Sequence, residues 1–111
     1  MKVSACVGTT VSRLAPVEGL QCLRVEVAPH GEIPLHRHDC AATMIVIAGT
    51  ARKLLASGRP GRMVRAGEVV VKQPRELHGF VDIGPEGFKF ISLSSGEGIV
   101  KGESTWDIEF A

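Results

Sequence analysis

Hydrophobic and polar residues alternate clearly over residues 20–28, with Leu23, Val25 and Val27 on one face and Arg24 and Glu26 on the other. A period of two over that length predicts a half-buried strand. After a turn at Pro29-His30-Gly31, residues 33–38 read as extended, because Pro34 disfavours helix for its predecessor. Residues 43–48 hold Met-Ile-Val-Ile between small residues and read as a buried strand that stops at Gly49. Further strands are predicted over 50–56, 63–65, 69–72, 77–82 and 88–93, and near the end Trp106, Ile108 and Phe110 alternate with Asp107 and Glu109.

Turn chemistry separates these runs: Ser57-Gly58-Arg59-Pro60-Gly61, Ala66-Gly67-Glu68, Gln73-Pro74-Arg75-Glu76 and Gly84-Pro85-Glu86-Gly87. Short strands at intervals of about 8–12 residues predict an all-β sandwich or barrel and argue against βαβ units. Residues 94–104, rich in Ser, Gly and Glu, read as a connection, either mobile or holding one short helical turn. There is no internal repeat and no low-complexity tract.

A chain of 111 residues fits one domain, here taken as 1–111. Thirteen Lys plus Arg against twelve Asp plus Glu leave a net charge of +1, too balanced for a general footprint on nucleic acid or an anionic membrane. The expected partner is therefore a small molecule. No apolar run approaches the roughly 20 residues of a membrane span, and the first residues are too polar for a signal peptide. Three cysteines, Cys6, Cys22 and Cys40, make an odd set without C-x-x-C spacing, so a reducing cytoplasm is the expected location.

The chemistry concentrates in histidines. His36 and His38 stand two apart, and a strand's period points both imidazoles to one face. His78 follows a turn at the start of another predicted strand, and closing a barrel can bring the two strands together. His30 precedes Gly31 in a turn and reads as solvated.

With these residues in place, the sequence resembles the cupin superfamily. Gly31, Pro34, His36, His38 and Gly49 match its first motif, about 31–49, and Gly67, Pro74 and His78 match its second, about 67–82. The resemblance implies a small double-stranded β-helix, or jelly-roll, barrel. It also places Ala42 where that family usually carries a carboxylate ligand, which makes the chain similar to the three-histidine subset that includes thiol dioxygenases and a diketone-cleaving dioxygenase. Three neutral imidazoles bind Fe, Zn, Ni, Mn or Cu and leave positions open for water, oxygen or substrate. The absence of Tyr excludes the cysteine–tyrosine cross-link of cysteine dioxygenases.

Other residues enter as candidates beside a single divalent transition-metal ion. Cys40 is either a fourth ligand near the barrel mouth or a small buried hydrophobe. Glu76 is either a general base or hydrogen-bond partner beside the metal, or an exposed turn carboxylate. Asp82 shares the strand face of His78 and is either its hydrogen-bond acceptor or a solvated strand end. Ala42, Met44, Val46, Phe80, Phe88 and Phe90 are expected to line the interior. Arg37, Arg52 and Arg65 could hold a substrate carboxylate if one faced inward; alternation sets Arg37 opposite the histidines, whereas Arg52 meets no such objection, with exposure its default.

The expected function is metal-dependent dioxygenation of a small anionic or chelating substrate; the alternative is a cupin that binds or senses metal or a small ligand without turnover. A sugar isomerase of this fold is disfavoured, because no Tyr is present and no His and Lys pair is evident for proton transfer. The resemblance further implies a homodimer formed by strand exchange or sheet packing, with Trp106, Ile108 and Phe110 as candidates to contribute to its surface.

Overall fold

Eight strands and no helix form in the computed structural model, which describes residues 5–102 and 105–111. They are β1 (Val7–Arg13), β2 (Gln21–Arg37), β3 (Ala42–Leu54), β4 (Pro60–Arg65), β5 (Val69–Lys72), β6 (His78–Val81), β7 (Phe88–Ser94) and β8 (Glu109–Phe110). All pairings are antiparallel.

Two strands do the work of joining the sheets. The first half of β2 pairs with β1 and β7, and its second half with β6 and β8. Likewise β3 pairs first with β5 and β7, then with β4 and β6. One sheet therefore runs β1-β2-β7-β3-β5 and the other β8-β2-β6-β3-β4, and the strands they share close the structure into a barrel. The expected all-β jelly-roll architecture is the one observed.

The sequence predicted breaks where these strands bend. Pro29 falls in an unpaired stretch of β2, between the partners of Val27 and Glu32, so its missing N–H costs no ladder bond. At the same corner a Cβ on Gly31 would lie 2.5 Å from the Val7 carbonyl oxygen, so β1 can cross β2 closely only there. Gly49 turns the corner of β3 at φ +76°, where a Cβ would stand 1.9 Å from the Gly87 carbonyl oxygen. Each predicted pair of short strands is thus one bent strand.

β1 was not anticipated, although Thr9 and Val11 point inward in ordinary alternation. Residues 94–104 hold no helix among those described, and 103–104 lie outside the described residues. Gln21 ties down part of that connection: its Oε1 accepts from the amides of Ile99 and Val100, both at 2.9 Å, and its Nε2 donates to the Val100 carbonyl at 2.7 Å.

Leu23, Val25, Val27, Met44, Val46, Val64, Phe80, Phe88 and Phe90 fill the barrel between the sheets. The three phenylalanine rings stack at centroid separations of 5.2 to 6.0 Å. Trp106 and Phe110 pack against this core and Ile108 lines an internal cavity, so the stripe expected to form a dimer surface faces largely inward.

Candidate metal centre

His36 projects from the end of β2, His38 from the residue just beyond it and His78 from the start of β6, and all three are buried. Register explains the meeting: His36 is the cross-strand partner of His78, and His38 lies two residues beyond on the same face. One ring nitrogen of each lies within 4.8 Å of the others.

Backbone carbonyls decide which nitrogen that is. His36 Nδ1 donates to the Pro34 carbonyl at 2.7 Å, His38 Nδ1 to that of Asp107 at 2.5 Å and His78 Nδ1 to that of Glu76 at 2.9 Å. An Nδ1 that donates leaves the Nε2 lone pair free, and the same bond fixes the ring plane. His78 Nε2 is buried with no hydrogen-bond partner. An orphaned buried acceptor of this kind calls for an explanation, and a metal ion supplies one. Burial pulls His36 down to about 3 and holds His38 and His78 below the ordinary imidazole range, so all three are neutral at pH 7, as ligands must be. The donor set therefore fits one divalent transition-metal ion.

Beside the histidines lies a cavity of about 70 Å³, walled by Val11, Val25, Ile33, Phe80, Phe90 and other mainly apolar side chains. Of the expected lining residues, Ala42 and Phe80 are there. Met44 is not: it is fully buried in the core, paired with Val70 and Ser92. Arg52 is not either, because its neighbour Ala51 takes the inward position and Arg52 turns outward to Asp82 at 3.1 Å and to the Gly61 carbonyl at 2.9 Å. That ion pair also gives Asp82 a surface role, away from His78.

Cys40 packs on the edge of the core, outside both the histidine cluster and the cavity wall. Burial, with Asp107 beside it, raises its thiol to about 11, which keeps it protonated and a poor ligand. Glu76 acts through its backbone: its carbonyl orients His78 while its carboxylate accepts from the Gln73 amide within the turn.

Two residues escaped the sequence reading. Asp107 holds His38 through its carbonyl, and its carboxylate accepts from the amides of Asp39 at 2.9 Å and Cys40 at 3.1 Å, fixing the loop after β2. Burial works to raise this carboxyl, but those donors hold it below its ordinary value. Lys72 is the other. It ends β5 pointing inward, 7% exposed, and its ammonium lies 5.1 Å from the Phe80 ring centre and 5.7 Å from that of Phe90. Burial lowers it to about 7, with Lys53 adding to the shift and Glu76 opposing it. The alternation Val70, Lys72 was readable; a lysine at an inward position was taken for a strand end.

Known structures share this architecture. A cupin-2 domain from Rhodospirillum rubrum superposes with a TM-score of 0.74 over 100% of this chain and 71% of its own, at 16% identity. A protein of Klebsiella pneumoniae with a double-stranded β-helix domain gives 0.72 over 93% and 84%, at 24% identity. The chain is a cupin by fold. A polyketide cyclase from Streptomyces resistomycificus matches this cupin at 27% identity and a TM-score of 0.69, over 80% of this chain. This chain spans 66% of that cyclase, just under two thirds of its length. No protein-family model matches the sequence, and no curated protein does either.

Proposed function

We propose that this cupin binds one divalent transition-metal ion, drawn from Fe, Zn, Ni, Mn and Cu, through Nε2 of His36, His38 and His78, and acts with it on a small chelating organic substrate. The observation that carries the reading is the set of three Nδ1 to carbonyl hydrogen bonds, which leave three Nε2 lone pairs free in a cluster whose candidate ligand atoms lie within 4.8 Å of one another. A bound ion would supply a Lewis-acid centre with open positions. The protein's own share is to fix the imidazoles, keep them neutral and present an apolar chamber to the substrate. Dioxygenation is the reaction class proposed first.

The test is metal content after purification without chelators and reconstitution with each ion, followed by oxygen uptake with thiols and diketones. Protein that takes up none of the five ions defeats the reading. Protein that binds iron but consumes no oxygen with any of these compounds supports the alternative of binding without turnover.

The likeness to a polyketide cyclase favours a second reaction class, metal-assisted ring closure without oxygen. A cavity of about 70 Å³ favours small substrates over a long polyketide chain.

A homodimer remains part of the proposal, on a different surface from the one expected. Ile47, Val69 and Val71 are 45%, 56% and 59% exposed on the outer face of β3 and β5, where Ile45 pairs with Val69 and Thr43 with Val71. Exposed apolar side chains grouped on one face are what a symmetric contact between two copies would cover. Sedimentation that finds only monomer at high micromolar concentration overturns the dimer; a Val71→Asp variant should convert dimer to monomer.

A further inference from the structure

Lys72 is the cation of the cavity wall, and no Asp or Glu stands there with it. It makes no ion pair among the described residues, only the two aromatic contacts. A charge withdrawn from water without a partner is costly, and burial accordingly lowers Lys72 to about 7, so that an anion bound beside it would restore its ammonium form.

Its position is specific. Ala42 is the direct cross-strand partner of Lys72, so both side chains leave the sheet on the same face. At the corner where the family resemblance expects a carboxylate, this chain sets a methyl group against a lysine. With an ion of charge +2 at the histidines and Lys72 protonated, a cavity lined by His36, His38 and Lys72 would hold two positive centres and no carboxylate of its own.

We infer that Lys72 and the histidine-bound ion are the two ends of one anion site, so that the cavity takes a small carboxylate such as a 2-oxo acid, its charged oxygens shared between metal and ammonium. This rests on the metal reading above. The apolar remainder of the ligand lies against Val11, Val25, Ile33, Phe80 and Phe90. A cavity of about 70 Å³ favours a small ligand. Binding supplies the counter-charge that the wall lacks, and neutral molecules of the same shape forgo it.

Pyruvate and 2,3-butanedione test this, because they match in shape and differ in charge. Cobalt-loaded wild-type, Lys72→Met and Lys72→Arg proteins are titrated with each, following the cobalt absorption band and the heat of binding. Wild type should prefer pyruvate, and Lys72→Met should lose about 10- to 100-fold in pyruvate affinity, the worth of a hydrogen bond to a charged group. Lys72→Arg should recover part of it, and affinity for butanedione should stay within about threefold throughout. Retained cobalt binding in Lys72→Met shows that the variant has folded. Equal pyruvate affinity in wild type and Lys72→Met overturns the lysine's role and leaves the metal reading standing. Failure of the wild type to take up cobalt or any of the five ions overturns both.

Discussion

His36 and His78 are cross-strand partners of β2 and β6, with ring centroids 4.2 Å apart and planes inclined at 63°. Everything proposed for the site depends on that register. A slip of one residue would send one imidazole to the outer face, since strand side chains alternate.

Metal should act as a ligand of the folded state alone. At 100 times its dissociation constant it contributes about 2.7 kcal/mol, or roughly 10–20 °C in Tm for a domain of this size. His36→Ala, His38→Ala and His78→Ala should each weaken metal binding by more than about 100-fold, beyond the effect of losing an outer partner. The informative variant is His78→Leu: it removes the orphaned Nε2, so the metal-free Tm should hold within a few degrees while the metal response disappears. A metal-dependent Tm shift of wild-type size in that variant contradicts the assignment.

Acid should unfold the metal-free protein. The folded pKa of His36 is about 3 against 6.5 for the free group, so between those values the unfolded chain binds a proton that the folded chain refuses. Stability therefore falls as pH drops below about 6.5, and His38 and His78 shift in the same direction. Lys72 adds a second window with the same sign. Its folded value of about 7 against 10.5 means that stability rises with pH between them, by on the order of 4 kcal/mol. Chelator-treated protein melted from pH 4 to pH 10 should show both rises, and Lys72→Met should flatten the upper one. A flat wild-type profile counts against the burial of these groups.

Asp107→Ala should cost about 1.5–3 kcal/mol, because two backbone amides lose a charged acceptor. Metal affinity should drop with it by about 10-fold or more, since the loop that carries the His38 hydrogen-bond acceptor loosens. Chemical denaturation and metal titration of the same samples check both, and a stability loss with unchanged affinity would uncouple Asp107 from the site.

Gly49→Ala should cost more than about 3 kcal/mol or prevent folding, since the new Cβ meets the Gly87 carbonyl while the backbone keeps a left-handed angle. Gly67→Ala, at φ +95° but with nothing near its Cβ, isolates the angle from the clash. It should cost about 1–2 kcal/mol. Comparable losses in the two variants would mean that the corner of β3 tolerates movement.

Much of this was legible in one dimension. Alternation placed the strand faces around Leu23, Val25 and Val27, glycine and proline marked the reversals, and the two-residue spacing of His36 and His38 already implied a shared face. Those are local properties, set by backbone period and turn chemistry. The bends were misread as ends because Pro29 and Gly49 carry the same signal whether a strand stops or turns a corner; only the second sheet reveals which. Register across residues 36 and 78 brought the third imidazole into place, and the Asp107 carbonyl reached His38 from 69 residues away. The placement of Lys72 inside the barrel was likewise a tertiary decision. Its strand has an inward face, but the surroundings of a lysine there are set by Phe80 and Phe90, which arrive from other strands.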